Sequence, residues 1–372
     1  MHYMPWYQTL AIRGRWGEHW TGFEKQHNPG ELDEDGLPDI WSHYHPLVGV
    51  YDSTDLAVLE CQLLQMKLAG VDGVIVDWYG LSGAADYPPI HQATQAMYDA
   101  SDQYGMSFTV CFEDRTVERL VKDGALRPEG IAEHLSETFA WVEEHWFAGP
   151  HYFRIDGRPL LLNFGPIYVK DAGAWTTAFG NLETPPKFFA LHHLWRNAGA
   201  DGGFTWVHPE VWEGDPDRAT IRDRLIKVFT RPSGEADRVI VSAVAGFNDV
   251  YEKSFVDLDY RDGSTLREAL DVGIDGPWPV IQLVTWNDYG EGTMIEPTHE
   301  FGYRFLEVIQ EARRRELGEG FVFTAKDLRL PARLLGLRRA KYASPIELDR
   351  IAMLLSAGRS GEAKKALDEL GG

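Results

Sequence analysis

The chain has little cysteine, no long apolar run and no excess of positive charge. Its only two cysteines among 372 residues are Cys61 and Cys111, which fall in a predicted helix and a predicted strand, where buried thiols are commoner than a disulfide. No stretch approaches the roughly 18 uninterrupted apolar residues of a membrane helix. Asp and Glu outnumber Lys and Arg by 57 to 36, giving a net charge of −21. This charge argues against nucleic acid and anionic membranes as partners and fits a neutral substrate.

Several motifs are also missing. No Gly-x-Gly-x-x-Gly phosphate loop follows a strand-like run, and no Gly-x-Ser-x-Gly elbow offers a serine nucleophile. The N-terminus shows neither a basic segment nor an apolar export run, so we expect a cytoplasmic protein by default, with a removed leader left open. The oligomeric state is not determined by the sequence.

Strand-like apolar runs alternate with helical segments, which is the pattern of a parallel sheet covered by helices. Eight such runs in this order favour a closed (β/α)₈ barrel over an open doubly wound sheet. The predicted strands are Tyr3–Trp6, Gly73–Trp78, Ser107–Phe112, Pro159–Phe164, Lys187–His192, Gly203–Val207, Val239–Gly246 and Val280–Trp286.

The chain divides into a predicted barrel domain, residues 1–317, and a C-terminal helical extension, residues 318–372. After Gly318 the segments Leu328–Ala340 and Ile346–Leu370 read as amphipathic helices. Within the barrel, the connection from about Gln8 to Asp52 is far longer than usual and rich in aromatics and histidines, as functional loops often are.

Carboxylates and aromatic residues share the ends of the predicted strands, where barrel enzymes place their sites. Sugar hydrolysis needs a proton donor and a second carboxylate, and sugar faces stack on aromatic rings. This combination predicts a carbohydrate substrate. The residues predicted to bind it are Tyr3, Trp6, Trp41, Asp77, Trp78, Glu113, His192, Trp206, Trp286, Asn287 and Tyr289. Of these, Trp6, Trp41, Trp78 and Trp206 are expected to line one cleft.

Two other classes of protein stay open at this point. His43 and His45 form a His-x-His pair of the kind that binds metal in some barrel hydrolases. They lie in mid-loop, however, so neutral imidazoles bonded to sugar hydroxyls are the preferred interpretation, and we expect neither a metal nor a cofactor. The other class is a carbohydrate-binding barrel that has lost turnover.

One segment after the eighth predicted strand carries a family likeness. Thr-Trp-Asn-Asp-Tyr-Gly-Glu-Gly-Thr-Met-Ile-Glu-Pro-Thr, residues 285–298, closely resembles the catalytic motif of glycoside hydrolase family 99, the endo-acting α-mannosidases and α-mannanases. Weaker matches lie at His2–Tyr7, Gly70–Gly80 and Gly202–Trp206. The chain is also similar to the bacterial family 71/99-like proteins, often named xylosidases or arabinosidases.

The resemblance implies a pair of catalytic carboxylates. The family pattern Asn-Glu-Trp-His-Glu-Gly has two catalytic glutamates, and here Glu291 matches the second while Asp288 replaces the first. The family's first glutamate removes the proton of the sugar 2-hydroxyl, giving an epoxide-like intermediate and net retention, and the second protonates the leaving oxygen. We therefore predict Glu291 as general acid and Asp288 as partner base or nucleophile. Glu296 is the rival, with a structural hydrogen bond or salt bridge as its expected role.

Overall fold

Eight parallel strands form a nearly closed barrel in the computed structural model, which describes residues 1–251, 257–341 and 343–371. Each strand pairs with its neighbours in sequence, and the Trp286 amide donates to the His2 carbonyl where the eighth strand meets the first. The predicted (β/α)₈ barrel is confirmed. The strands are β1 His2–Tyr3, β2 Gly73–Trp78, β3 Ser107–Phe112, β4 Arg158–Asn163, β5 Lys187–Leu191, β6 Gly202–Phe204, β7 Val239–Val244 and β8 Val280–Val284.

Helices surround this barrel and continue beyond it. A short strand, Arg154–Ile155, adds an antiparallel hairpin to β4. The α-helices are α1 Leu10–Arg13, α2 Glu18–Thr21, α3 Leu56–Ala69, α4 Tyr87–Tyr104, α5 Arg115–Lys122, α6 Ile131–Val142, α7 Ala172–Gly180, α8 Arg218–Thr230, α9 Ser264–Asp275, α10 Arg304–Leu317, α11 Leu330–Ala340, α12 Pro345–Ser356 and α13 Ser360–Glu369. No helix in these ranges is long and apolar enough to cross a bilayer.

The start of α3 shows how local sequence sets these elements. Asp55 caps the helix by accepting hydrogen bonds from the amides of Ala57 and Val58, and Gly70 ends it in the left-handed conformation at φ +91°. Nearly every side chain of α3 is buried, because the helix lies between the barrel and the C-terminal helices.

Successive side chains of a strand point to opposite faces of the sheet, so the strands contribute to two separate apolar layers. Inside the barrel, Ile75 of β2 packs with Cys111 of β3 and with inward residues of β4 to β7. The neighbours Val76, Trp78 and Phe112 belong instead to the larger layer between the strands and the helices. Asp77 therefore points toward the barrel axis, and Trp78 points away from it.

The C-terminal helices pack on the outside of α3. Arg338 of α11 places Nε 2.6 Å from Glu60 Oε1 and Nη2 2.7 Å from Glu60 Oε2, and Tyr104 donates to the same carboxylate at 2.7 Å. Arg339 also donates to the Val48 carbonyl, at 2.6 Å. These bonds anchor α11 to the barrel, and the division of the chain near Leu317 stays a prediction.

Candidate active site

Four carboxyl groups share one space at the carboxyl ends of the strands. Asp77 lies near the end of β2, Glu113 directly follows β3, and Asp288 and Glu291 lie in the loop after β8. Burial is the largest cause of the raised pKa of Asp77, and the charges of the other three carboxylates raise it further. We call these four residues the carboxylate cluster. The structure thus brings together the two predicted catalytic residues and two of the predicted binding residues.

Asp288 and Glu291 belong to a single tight turn. The Glu291 amide donates to Asp288 Oδ1 at 2.9 Å, and the Asp288 amide donates to Thr285 Oγ1 at 2.8 Å. Beyond the turn, the Asn248 amide donates to the Glu291 carbonyl at 2.9 Å. The backbone of both carboxylates is therefore held on both sides before any substrate binds.

Two glycines make this turn sterically feasible. A Cβ atom on Gly290 would lie 2.0 Å from the Tyr251 ring, and Gly292 adopts φ +67°, where side chains are strained. Tyr251 packs directly over the turn because residue 290 has no side chain.

Burial dominates the electrostatics of the cluster. It raises the pKa of Glu291 well above its ordinary value, and the charge of Asp288 adds to the rise. Burial also raises the pKa of Asp288 to about 7, although the Glu291 amide bonded to it opposes the change. Burial likewise raises the pKa of Glu113 to about 8. The cluster therefore retains protons near neutral pH, as a proton donor requires.

An aromatic wall stands beside the turn, formed by Trp6, His19, Phe23, Trp41 and Tyr251. The rings of Trp6 and His19 stack at 4.1 Å, His19 Nδ1 lies 3.2 Å from the Tyr251 hydroxyl, and Trp41 packs edge-on to Tyr251 at 4.9 Å. Burial is the largest cause of the raised pKa of Tyr251, and the charges of Asp288 and Glu291 raise it further. The sequence prediction included Trp6 and Trp41 but missed Tyr251, which lies in the loop after β7.

Many buried polar atoms around this space have no protein partner. Within the described ranges they include His2 Nδ1 and Nε2, Trp6 Nε1, Glu113 Oε1, Trp206 Nε1 and Glu291 Oε2. Burial lowers the pKa of His192 to about 4, but Leu191 before it faces the barrel interior, so His192 points away from the barrel axis, near His193 and Arg231. Trp206 packs edge-on to His2 at 4.8 Å. Buried polar groups are normally paired, so this set indicates a binding site.

The structure corrects the prediction for Trp78 and Tyr3. Trp78 is fully buried, packs on Trp146 at 5.0 Å and donates to His91 at 3.3 Å, on the helix side of the sheet. The Tyr3 hydroxyl donates to Gln62 of α3 at 3.0 Å. Neither side chain lines the cleft, because each follows an inward-facing residue on its strand.

Asn287 and Tyr289 are likewise turned away from the cluster, into a buried network around Glu296. Glu296 Oε2 accepts from the hydroxyls of Tyr51 at 2.9 Å and Tyr289 at 2.8 Å, and its Oε1 accepts from Gln62 at 2.7 Å. Asn287 bonds both polar groups of Met4 and also donates to the Tyr51 hydroxyl.

Trp286 is fully buried beside this network and near Glu296. These three predicted binding residues, Trp286, Asn287 and Tyr289, therefore hold the loop to β1 and α3 instead of facing substrate. The prediction of structural hydrogen bonds for Glu296 is confirmed.

The His-x-His pair does not form a metal site. His43 is exposed, whereas His45 places Nδ1 3.0 Å from Glu300 and Nε2 3.2 Å from the Pro38 carbonyl. Both ring nitrogens of His45 are occupied, so it anchors the long first loop.

Solved structures share this fold. The GH99 endo-alpha-mannosidase from Bacteroides thetaiotaomicron, in complex with BIS-TRIS-propane, aligns over 84% of this chain and 96% of its own with a TM-score of 0.62 and 17% identity. A second structure of that enzyme gives a TM-score of 0.61 over the same shares of the two chains. The resemblance to glycoside hydrolase family 99 is confirmed in the fold.

A glycoside hydrolase-like protein aligns over 76% of this chain and 91% of its own, with 10% identity and a TM-score of 0.57. No family model and no curated protein matches the sequence. The chain therefore shares the barrel fold of these glycoside hydrolase structures, and its own carboxylate cluster lies at the strand ends.

Proposed function

We propose that the protein is a glycoside hydrolase that cleaves O-glycosidic bonds of an oligo- or polysaccharide. The observation that carries the proposal is the turn in which Asp288 and Glu291 are fixed together, both with raised pKa values, beside an aromatic wall. Paired carboxyl groups of this kind supply the acid and the base or nucleophile of glycoside hydrolysis.

Glu291 is the proposed general acid. Its raised pKa keeps the carboxyl protonated near neutral pH, so it can give that proton to the leaving glycosidic oxygen. Its Oε2 is buried without a protein partner, which leaves that oxygen available to a substrate atom. Asp288 is the proposed partner, acting as base or nucleophile with net retention, as the resemblance to family 99 implies.

The surroundings support a sugar as substrate. The Trp6 indole, Glu113 Oε1 and Glu291 Oε2 are buried without a hydrogen bond of normal geometry among the described residues, and sugar hydroxyls would pair with them. Trp6 and Trp41 in the aromatic wall supply apolar surface of the type that sugar faces cover. A fixed array of polar atoms beside aromatic rings suits a neutral, hydroxyl-rich ligand.

The test is a screen of the purified protein on a panel of aryl glycosides and α-mannans, with product anomers followed by NMR. We expect release of a reducing sugar from at least one panel member, with the anomeric configuration retained. Glycan binding in the same panel without product from any member would contradict the proposal and favour a carbohydrate-binding barrel. An inverted product anomer would refute retention alone.

A further inference from the structure

Three adjacent strands each place one potential metal ligand inside the barrel, with His2 in register with Ile75, two residues before Asp77. His2 lies on β1, Asp77 on β2 and Cys111 on β3, and Asp77 is the direct cross-strand partner of Cys111. One ligand atom of each residue lies within 4.8 Å of those of the other two. The three side chains thus converge beneath the carboxylate cluster, of which Asp77 is also a member.

All three side chains are buried, and neither ring nitrogen of His2 makes a hydrogen bond of normal geometry among the described residues, with the Gln282 side chain as its nearest polar neighbour. An imidazole enclosed in this way has lost its hydrogen bonds to water without replacing them, which is costly unless something binds it. The edge-on contact with Trp206 holds the ring in place but satisfies neither nitrogen. The unpaired imidazole is therefore an observation independent of the clustering, and it indicates a ligand.

We propose that His2, Asp77 and Cys111 bind a divalent cation of the zinc class. Imidazole nitrogen, carboxylate oxygen and thiolate sulfur are the ligands that zinc takes in proteins, and a site with three protein ligands leaves a fourth position open. Tetrahedral zinc holds its ligand atoms about 3.5 Å apart, so the widest pair closes by about 1 Å on binding, which side-chain torsions can supply.

Binding requires the Cys111 thiol to lose its proton to solvent as the metal–sulfur bond forms. The cation then offsets the negative charge that gathers at this end of the barrel. Asp77 would belong both to the metal site and to the carboxylate cluster, since the charges of Glu113 and Glu291 act on it. The proposed proton transfers need no metal, so zinc binding can be tested without a substrate.

The experiment uses tag-free protein that has been treated with a chelator and a reductant and then titrated with Zn²⁺ or Co²⁺. We expect one equivalent of zinc per chain by elemental analysis and, with cobalt, the thiolate-to-cobalt charge-transfer absorption that only a bound cysteine gives. Zinc should also raise the melting temperature of the apo-protein. Failure to retain zinc, or cobalt binding without the charge-transfer band, overturns the proposal.

The second cysteine provides a matched control. Cys61 is buried in α3 and is also free, so Cys61→Ser should keep the absorption band while Cys111→Ser loses it. His2→Phe and Asp77→Asn should weaken zinc binding by more than the roughly 100-fold that loss of an outer-sphere partner can cost. Circular dichroism of each apo variant establishes that it is folded. A band that persists in Cys111→Ser assigns the metal elsewhere and refutes the site.

Discussion

At the scale of single residues, the environments of Asp288 and Glu291 suit them to the different roles, acid and base, that we propose for them. Asp288 is nearly fully buried and accepts the Glu291 amide, a bond that favours its ionised form. Glu291 has one oxygen buried without a partner and bears the repulsion of the ionised Asp288. As the pH rises, Asp288 therefore loses its proton before Glu291 does.

This difference predicts a bell-shaped dependence of kcat/KM on pH. Activity should rise as Asp288 ionises near its pKa of about 7 and fall at higher pH as Glu291 loses its proton. Because the two groups interact, the limbs report the titration of the pair. Initial rates on a confirmed substrate between pH 4 and 10 measure the profile, and full activity at pH about 5 contradicts the raised pKa of Asp288.

Glu291→Gln should reduce turnover by about 100-fold or more, the usual loss when general acid catalysis is removed. The melting temperature should stay the same or rise slightly, because glutamine retains the shape and removes a carboxyl that burial destabilises. Steady-state kinetics and calorimetry measure the two effects. Glu118→Gln, an exchange on α5 away from the cleft, is the matched control. Activity within a few-fold of the parent excludes Glu291 as the acid and makes Glu113 the next candidate.

At the scale of structural elements, the loop after β8 is fixed by bonds directed away from the cleft. Glu296 accepts hydrogen bonds from the hydroxyls of Tyr51 and Tyr289. It also accepts from the side-chain amide of Gln62, which in turn accepts from the Tyr3 hydroxyl. The loop that carries the proposed catalytic pair is thus tied to β1, to α3 and to the long first connection. Rigid support of this kind keeps catalytic groups at their working distances.

Glu296→Ala should destabilise the fold by about 3–5 kcal/mol, because three buried donors lose their acceptor. Glu296→Gln should cost less, since a flip of the Gln62 amide can restore a complementary bond. Urea denaturation measures both variants. Equal losses for the two would show that the side-chain volume, and not the acceptor, stabilises the loop.

Burial also makes the contribution of Glu296 to the stability of the folded protein depend on pH. Its pKa is raised from 4.5 to about 7 in the folded protein, so the folded state binds more protons than the unfolded state between those values. The contribution is fully present below pH 4.5 and is lost as the pH rises through 7. Glu296→Gln should flatten this part of the stability profile.

At the scale of the whole molecule, residues 318–371 cover an outer face of the barrel. We propose that this segment stabilises the barrel, since Arg338 of α11 forms an ion pair with the buried carboxylate of Glu60 on α3. Glu60 is only 4% exposed and accepts two bonds from Arg338. A buried carboxylate deprived of its partner is strongly unfavourable.

Arg338→Met should therefore lower the free energy of unfolding by about 3 kcal/mol, while turnover changes little because Arg338 does not contact the carboxylate cluster. Arg359→Met removes an exposed ion pair with Glu362 on α13 and should have almost no effect. Chemical denaturation compares the two variants. A small effect at Arg338 would mean that the apolar contacts of α11 and α12 suffice to hold the extension.

Much of the site could be predicted from the sequence, though not the direction of every side chain. The segment 285–298 identified Asp288, Glu291 and the structural role of Glu296. Asp77 and Trp78 were both assigned to the cleft, although neighbours on a strand face opposite sides. For the same reason, His2 faces the interior of the barrel while Tyr3 faces α3. Tyr251 was missed because its loop has no periodic pattern that fixes its position.

The sequence by itself determined the barrel, because eight strand-like runs alternating with helices admit few other arrangements. It also determined which loop carries the paired carboxylates. Only the tertiary structure decided which side chains meet, since that depends on strand parity and on loops brought together from distant parts of the chain. Glu291 faces Asp77 and Trp206, whereas Glu296, five residues later, faces Tyr51 and Gln62. The turn at Gly290 and Gly292 sends these two glutamates in different directions, so one is available to a substrate and the other stabilises the loop.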